Sequence, residues 1–472
     1  MAHPAPVLLW FRQDLRLDDH AALLAAAATD RPVLPVFVLE DVGDWRWGGA
    51  SRWWLHRSLA ALDADLRRMG APLVLRRGDP RRVLPELAAA AGADTVHWNR
   101  RYEPDARQRD RETSDALRDA GVTVKAHPGA LLCEPWSLAT GQGGPYQVFT
   151  PYHKAFLRDV SPAEPRGAPP RLRAPAVAPE SLPLAALDLD PGVLWGQGMA
   201  EAWTPGEAGA RALLERFAAG PVAAYADRRD RPAEPSTSRL SPHLHWGEVS
   251  PARVWSALRG ADGADPFLRQ LVWREFAHHL LHHFPHTDRH PLRGEFRDFP
   301  WDGDPAHLRA WRRGETGYPL VDAGMRELWT TGWMHNRVRM VVASFLVKHL
   351  LLPWQEGAAW FWDTLVDADL ANNSFGWQWT AGCGADAAPY FRVFNPMLQS
   401  RRFDPDGAYL RRWLPELAGL GNKAIHAPWE ASRAEREGAG VELGRTYPRP
   451  LVEHGAARER ALEAYKRLRG AS

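Results

Sequence analysis

Two domains of different class are predicted by this sequence: an N-terminal α/β domain on a doubly wound, Rossmann-like parallel sheet, and an all-α C-terminal domain. Over the first 130 residues, short apolar and β-branched runs alternate with Ala-, Leu- and Arg-rich stretches, the pattern of parallel strands joined by crossover helices. From residue 206 to the end the apolar spacing turns helical. Between them, residues 133–205 are rich in Pro, Ala and Gly, with Pro169 beside Pro170 and little sustained periodicity, so they read as an interdomain connector. The expected division is 1–132, 133–205 and 206–472; a chain of 472 residues is about two to three typical domains long.

The strands are expected at 7–11, 33–39, 73–75, 95–98 and 122–124. The loop after the first reads FRQDLRLDD at 11–19 and lacks the Gly-x-Gly-x-x-Gly turn, which argues against a dinucleotide in the usual Rossmann position. Helices are expected at 208–217, 251–259, 266–283, 305–312, 322–331, 336–351 and 456–469, with no internal repeat.

Composition narrows the function class. Two cysteines, Cys133 and Cys383, are too few for a disulfide framework or a Cys-rich metal site, and fit a reducing cytoplasm. No signal peptide is indicated, and the longest apolar run, 340–352, is interrupted by Lys348 and His349 and is short for a bilayer span. A soluble, cytoplasmic protein is expected. Net charge is +2, so the chain is no polycation, yet only five of its 59 basic residues are Lys. Genome composition accounts for that bias as well as a phosphate-binding face would.

Indole is the commonest aromatic here, with 23 Trp against 9 Tyr and 16 Phe. Residues 367–379, DADLANNSFGWQW, mix two carboxylates, two adjacent amides and two indoles, too polar for a core and too aromatic for a solvated loop. They read as the wall of a cofactor site. His278, His279, His282 and His283 offer i, i+4 pairs on one helix, but no acidic third ligand lies at motif spacing, so they read as a packed face and no metal is expected.

Several motifs then occur in one order: WFRQDLR at 10–16, YQVFTPY at 146–152, TGYPLVDAGMREL at 316–328, GWMHNRVRM at 332–340, ASFLVK at 343–348, WQ at 354–355, the 367–379 segment and DAAPYFRVFNP at 386–396. Together they resemble the photolyase/cryptochrome family along nearly the whole chain, and within it the class I cyclobutane pyrimidine dimer photolyases. The resemblance implies an α/β antenna domain joined to a helical FAD-binding domain. It also implies light-driven repair of cyclobutane dimers in double-stranded DNA, by electron transfer from excited reduced FAD to a flipped-out dimer.

By the same resemblance, Tyr225, Thr237, Ser238, Arg239, Leu240, Ser241 and Arg274 bind FAD, chiefly at its phosphates. Arg339 and Asp367 form an ion pair beside the isoalloxazine, Asp369 accepts from its polar edge, and Asn373 faces N5, where plant-like cryptochromes usually carry Asp. Trp377, Trp354 and Trp301 carry an electron from the surface to the flavin, with Trp311, Trp360 and Trp362 leaving room for a branch. Trp273 and Trp379 wall the dimer pocket, Gln270, Asn336 and Met340 line it, and Arg229, Arg337 and Arg392 grip backbone phosphates.

One pocket residue departs from the pattern: Gln270 stands where most cyclobutane dimer photolyases have Glu, and 6-4 photoproduct photolyases often carry Gln there. Asn336 fits the dimer enzyme. In YEPDAR at 102–107, Asp105-Ala106 replaces the Asn-Glu of folate-binding relatives, which favours 8-hydroxy-deazaflavin or FMN over methenyltetrahydrofolate as antenna. A monomer without an obligate protein partner is expected. The rival readings are a cryptochrome photoreceptor, a 6-4 photolyase, and a DASH-type relative, which usually lacks the indole that Trp379 retains.

Overall fold

The computed structural model describes residues 4–40, 43, 45–177, 179–190, 194–387, 389–390 and 392–470. They fall into two compact units, one of residues 1–196, 200–223 and 238–285, the other of 197–199, 224–237 and 286–472.

The first unit holds five strands: β1 (Val7–Phe11), β2 (Val33–Leu39), β3 (Val74–Arg77), β4 (Thr95–Asn99) and β5 (Thr123–His127). All pair in parallel in the order β3-β2-β1-β4-β5, with Val7 opposite both Val33 and Thr95, which is the doubly wound sheet expected. Helices α1 (Ala21–Ala27), α2 (Gly49–Met69), α3 (Pro80–Ala91) and α4 (Pro104–Asp119) make the crossovers. Every residue of β1, β2 and β4 is buried; the continuous apolar runs of β1 and β2 are what strands covered on both faces require. Leu8, Trp10, Val36, Val96 and Trp98 pack with Leu84 and Leu87 of α3, and Trp10 meets Trp98 edge-on at 5.4 Å. Helix α3 starts where a local reading places it, with Asp79 accepting from Arg81 N at 3.0 Å ahead of Pro80.

Segment 133–205, expected as a connector, contains a helix, α5 (Phe149–Asp159). Phe149, Tyr152 and Phe156 are buried along it, a helical stripe that the surrounding Pro, Ala and Gly concealed. It packs on the helix Asp265–His283, where Tyr152 lies 5.0 Å from Phe276.

The second unit is helical, with the main elements at Pro305–Arg313, Pro319–Thr331, Asn336–Ser344, Trp354–Thr364, Leu370–Ala381 and His454–Gly470. The helix expected to run unbroken over 336–351 ends its α-geometry at Ser344 and widens into a π turn over Phe345–His349. Lys348 and His349 are buried on that turn, and the wider geometry accommodates their partners: Lys348 Nζ donates to the Arg392 carbonyl at 3.0 Å and His349 Nε2 meets His454 Nδ1 at 2.9 Å. Among the described residues no helix is long and apolar enough to cross a membrane.

Candidate functional site

The segment singled out by its mixed chemistry folds as the helix Leu370–Ala381 and its N-terminal approach. Asp369 caps it, accepting from Asn372 N at 2.8 Å and Asn372 Nδ2 at 2.6 Å. Just upstream, Asp367 takes the Arg339 guanidinium on both oxygens, at 3.1 and 2.8 Å, while Arg339 Nε donates to the Met334 carbonyl at 2.7 Å. The arginine is thus fixed at two points. Asn373 donates one Nδ2 N–H to the Ala358 carbonyl at 3.0 Å, which fixes the amide's orientation; its oxygen is the acceptor it offers.

Trp377 is 2% exposed and lies against Gly357, where a Cβ would fall 2.0 Å from its ring. Any other residue at 357 would displace the indole. Its ring meets Phe361 at 5.0 Å and Trp311 at 6.2 Å, and its buried Nε1 has no hydrogen-bond partner among the described residues. Trp354 is buried at the start of its helix, and Trp301 is half-buried against Phe299 at 4.4 Å. Among the described residues no ring contact joins Trp377, Trp354 and Trp301 directly; the indole touching Trp377 is Trp311. Trp360, also noted as a neighbour, stacks on Trp329 at 5.9 Å.

A second cluster gathers at the start of the helix Asn336–Ser344. His335 caps it through Nδ1, which accepts from Arg337 N at 3.2 Å. Burial holds the His335 imidazole down to about 4, against the opposing pull of Asp230 and the Arg229 carbonyl, so it is neutral and can accept. Arg337 donates Nη2 to Asp230 at 2.7 Å and lies 4.5 Å over Phe403. Arg229 sits 5.4 Å over the buried ring of Tyr225. Asn336 is exposed; Met340 and Trp379 are half-buried; Arg392 is exposed, 5.5 Å over Phe394. Ala388 and Phe391 of the 386–396 motif lie outside the described residues.

In the first unit, Trp273 stacks face to face on Phe149, centroids 3.5 Å apart and planes 7° from parallel. Phe149 backs one face of the expected pocket wall. Gln270 folds its amide back onto the Pro266 carbonyl at 3.0 Å. Arg274 donates to the Ala130 carbonyl at 2.9 Å, and its neighbour Glu275, fully buried, accepts from Leu132 N and Cys133 N. Burial pushes the Glu275 carboxyl up to about 7. In the TSRLS loop, Arg239 adopts φ +55° with its guanidinium 4.2 Å over Trp203, and Ser238 Oγ accepts from Leu240 N at 3.3 Å. Ser241, exposed, opens a one-turn helix. A left-handed arginine is strained backbone of the kind that marks loops shaped for a ligand. The four histidines are engaged in packing: His279 Nδ1 bonds the Pro135 carbonyl at 2.8 Å and its Nε2 accepts from Tyr146 N at 3.0 Å, while His278 bonds the Arg274 carbonyl.

A cleft opens at the C-terminal ends of β1, β2 and β4, the switch point where ligands of doubly wound sheets bind. Arg12, Arg46, Arg101 and Arg109 line it with Glu40 and Trp47. Arg109 pairs with Glu40 at 2.6 Å and Arg101 with Glu103 at 3.1 Å.

The structure brings together Arg339 with Asp367, Asp369 with Asn372, and Tyr225 with Arg229, and gives the three chain indoles separate surroundings. Phe149, Gly357, Asp230, His335 and Phe403 were not singled out from sequence. Phe149 lies inside a quoted motif and Asp230 beside a named arginine, so adjacency was their only signal.

Residues 7–172 match the family described as DNA photolyase, and residues 267–467 match the FAD binding domain of DNA photolyase. A deoxyribodipyrimidine photo-lyase of Agrobacterium fabrum is 51% identical over 98% of both chains. Cryptochrome-2 of Arabidopsis thaliana is 40% identical over 98% of this chain and 79% of its own length. The crystal structure of a bacterial class III photolyase from Agrobacterium tumefaciens superposes with a TM-score of 0.97 at 50% identity, covering 100% of this chain and 99% of that one. That likeness is to a class III enzyme, and the class I expectation is not supported.

Proposed function

The chain belongs to the DNA photolyase/cryptochrome family, and from that premise we propose that it is a class III photolyase, a deoxyribodipyrimidine photo-lyase that binds FAD and repairs cyclobutane pyrimidine dimers in damaged DNA under light. The observation that carries this reading is the Asp367–Asn373 arrangement: a doubly held Arg339–Asp367 pair, and an amide oriented by its bond to Ala358 whose oxygen is an acceptor. These groups fit a flavin, whose polar edge needs a charge pair and whose reduced ring carries an N–H donor.

When bound, FAD supplies the light-driven electron that splits the dimer. The chain's residues do the rest. Thr237, Ser238, Arg239, Leu240, Ser241 and Arg274 take the phosphates, with Tyr225 nearby in sequence, and Arg339, Asp367, Asp369 and Asn373 orient the ring. Trp377 is the first donor for flavin reduction, with Trp354 and Trp301 behind it. Trp273 and Trp379 wall the dimer; Gln270, Asn336 and Met340 touch its bases; Arg229, Arg337 and Arg392 bind phosphate. The division 1–132, 133–205, 206–472 is kept as the proposed domain plan, and the working form is taken as a cytoplasmic monomer.

A second chromophore is assigned to the cleft over β1 and β4. Its arginines suit a planar group bearing negative charge, on the ring in 8-hydroxy-deazaflavin or on the phosphate in FMN; a folate brings carboxylates, and chromatography of the released chromophores separates the three.

Cryptochrome-2, at 40% identity, is the specific ground for the rival photoreceptor reading. The deciding experiment is blue-light treatment of duplexes carrying one thymine cyclobutane dimer or one 6-4 product. Light-dependent recovery of intact thymines from the dimer alone is expected; no repair of either lesion favours the photoreceptor, and repair of only the 6-4 product overturns the substrate.

A further inference from the structure

Asp230 is the acidic member of a run of arginines, Arg228, Arg229 and Arg231, and its carboxylate takes the guanidinium of Arg337 at 2.7 Å. We propose that Asp230 holds the place of a DNA phosphate on Arg337, occupying the guanidinium in the free protein and yielding it to a backbone phosphate in the complex. The proposal rests on the reading of Arg337 as a phosphate contact given above.

The first ground is that Arg337 does not depend on Asp230 for its position. Its backbone N–H is held by His335 Nδ1 at 3.2 Å, and its guanidinium lies 4.5 Å over the Phe403 ring. Those contacts remain when the carboxylate leaves. The second is access: the side chains of Arg337 and Asp230 are 17% and 30% exposed, so an incoming anion can reach the pair.

Chemistry supplies the third. A guanidinium binds carboxylate and phosphate through the same planar donors, so one replaces the other without a change of side chain. Neighbouring positive charges are absent or engaged elsewhere, so Asp230 answers to Arg337. His335 is neutral, Arg229 lies over Tyr225, and Arg228 and Arg231 are both engaged with Glu234, at 3.2 and 3.0 Å. A carboxylate left in place opposes the phosphate by like-charge repulsion. Asp230 therefore lowers affinity for DNA while it keeps Arg337 paired in its absence.

The sign of one substitution separates this role from simple positioning. Holoenzyme binding in the dark to a duplex with one cyclobutane dimer is measured by fluorescence anisotropy from about 50 to 250 mM KCl, because each phosphate newly neutralised adds about 0.9 to the log–log salt slope. Asp230→Asn is expected to tighten binding about three- to tenfold with little change in slope, since Arg337 meets the same phosphate in either protein. Asp230→Ala should tighten binding in the same direction. In the Arg337→Gln background, Asp230→Asn should change affinity less than about twofold, since the group it competes for is gone. Unchanged or weaker binding in both Asp230 variants, with Arg337→Gln still flattening the slope, overturns the exchange and leaves the DNA face standing. A slope unaffected by Arg337→Gln removes Arg337 from the DNA face itself, and the exchange with it.

Discussion

Strand β1 and the helix Leu370–Ala381 both bury much of their length, but they do it with opposite chemistry. In β1 all five side chains, Val-Leu-Leu-Trp-Phe, are 0% exposed and apolar, so what they contribute is area taken from water. The helix buries Ser374, Gln378 and Thr380 beside Trp377, and polar groups along it meet named partners. Gln378 alone donates to the Thr287 and His290 carbonyls and accepts from Leu292 N. The contrast teaches which substitutions each region forbids: the strand is sensitive to volume, the helix to the loss of a particular hydrogen bond or contact.

The largest effect should come from volume in the sheet. Leu8→Ala empties a fully buried position and should cost about 2–5 kcal/mol in chemical denaturation. A loss below about 1 kcal/mol would mean that the sheet collapses around the gap and is less closely packed than it looks.

In the helix, a change that nearly conserves volume should do comparable damage. Gln378→Leu would leave two carbonyls and one N–H without their partner, and about 2–4 kcal/mol of stability should go. If that variant matches wild type, burial rather than hydrogen bonding organises this region too, and the contrast disappears.

Gly357→Ala sharpens the comparison at a contact point. The added methyl, at 2.0 Å from the Trp377 ring, must move the indole, for about 1–3 kcal/mol of overpacking and a shifted tryptophan fluorescence. An unchanged spectrum and stability would show that the ring relaxes freely.

The smallest effect concerns Glu275, a buried polar group in the first unit whose partners do not fully offset its burial. Its carboxyl is raised from 4.5 to about 7, so the folded state keeps a proton that the unfolded chain releases near 4.5. The stability this supplies is complete below about pH 4.5 and is lost as pH rises through about 7. Glu275→Gln cannot ionise, so it should be more stable than wild type by about 1–3 kcal/mol at pH 8 and similar to it at pH 4.5. Parallel stability curves for the two proteins would contradict the shift.

The same contrast decides what could be read before folding. Strands 7–11 and 33–39 were legible to the residue, because apolar β-branched runs between helical stretches have one structural meaning. The helix Leu370–Ala381 was legible as a site but not as a helix, since Asn372, Asn373, Gln378 and the two indoles interrupt any apolar stripe. Helix α5 was hidden by composition, although Phe149, Tyr152 and Phe156 carry its spacing. Gly357 against Trp377, and Phe403 under Arg337, depend on residues 20 and 66 positions apart meeting in space, which no local pattern records. The Arg339–Asp367 pair was anticipated only through family resemblance, for the same reason.

The central claim is that the mixed segment at 367–379 serves electron transfer to a flavin rather than the core, and Trp377 tests it most directly. Trp377→Phe keeps an aromatic ring against Gly357 and abandons no hydrogen bond among the described residues, since Nε1 has no partner there. Blue-light reduction of oxidised FAD in this variant should fall at least about tenfold, as one indole is removed from the path, while dimer repair by chemically reduced enzyme stays near wild type. Photoreduction at the wild-type rate, or loss of repair together with loss of bound flavin, would contradict the account.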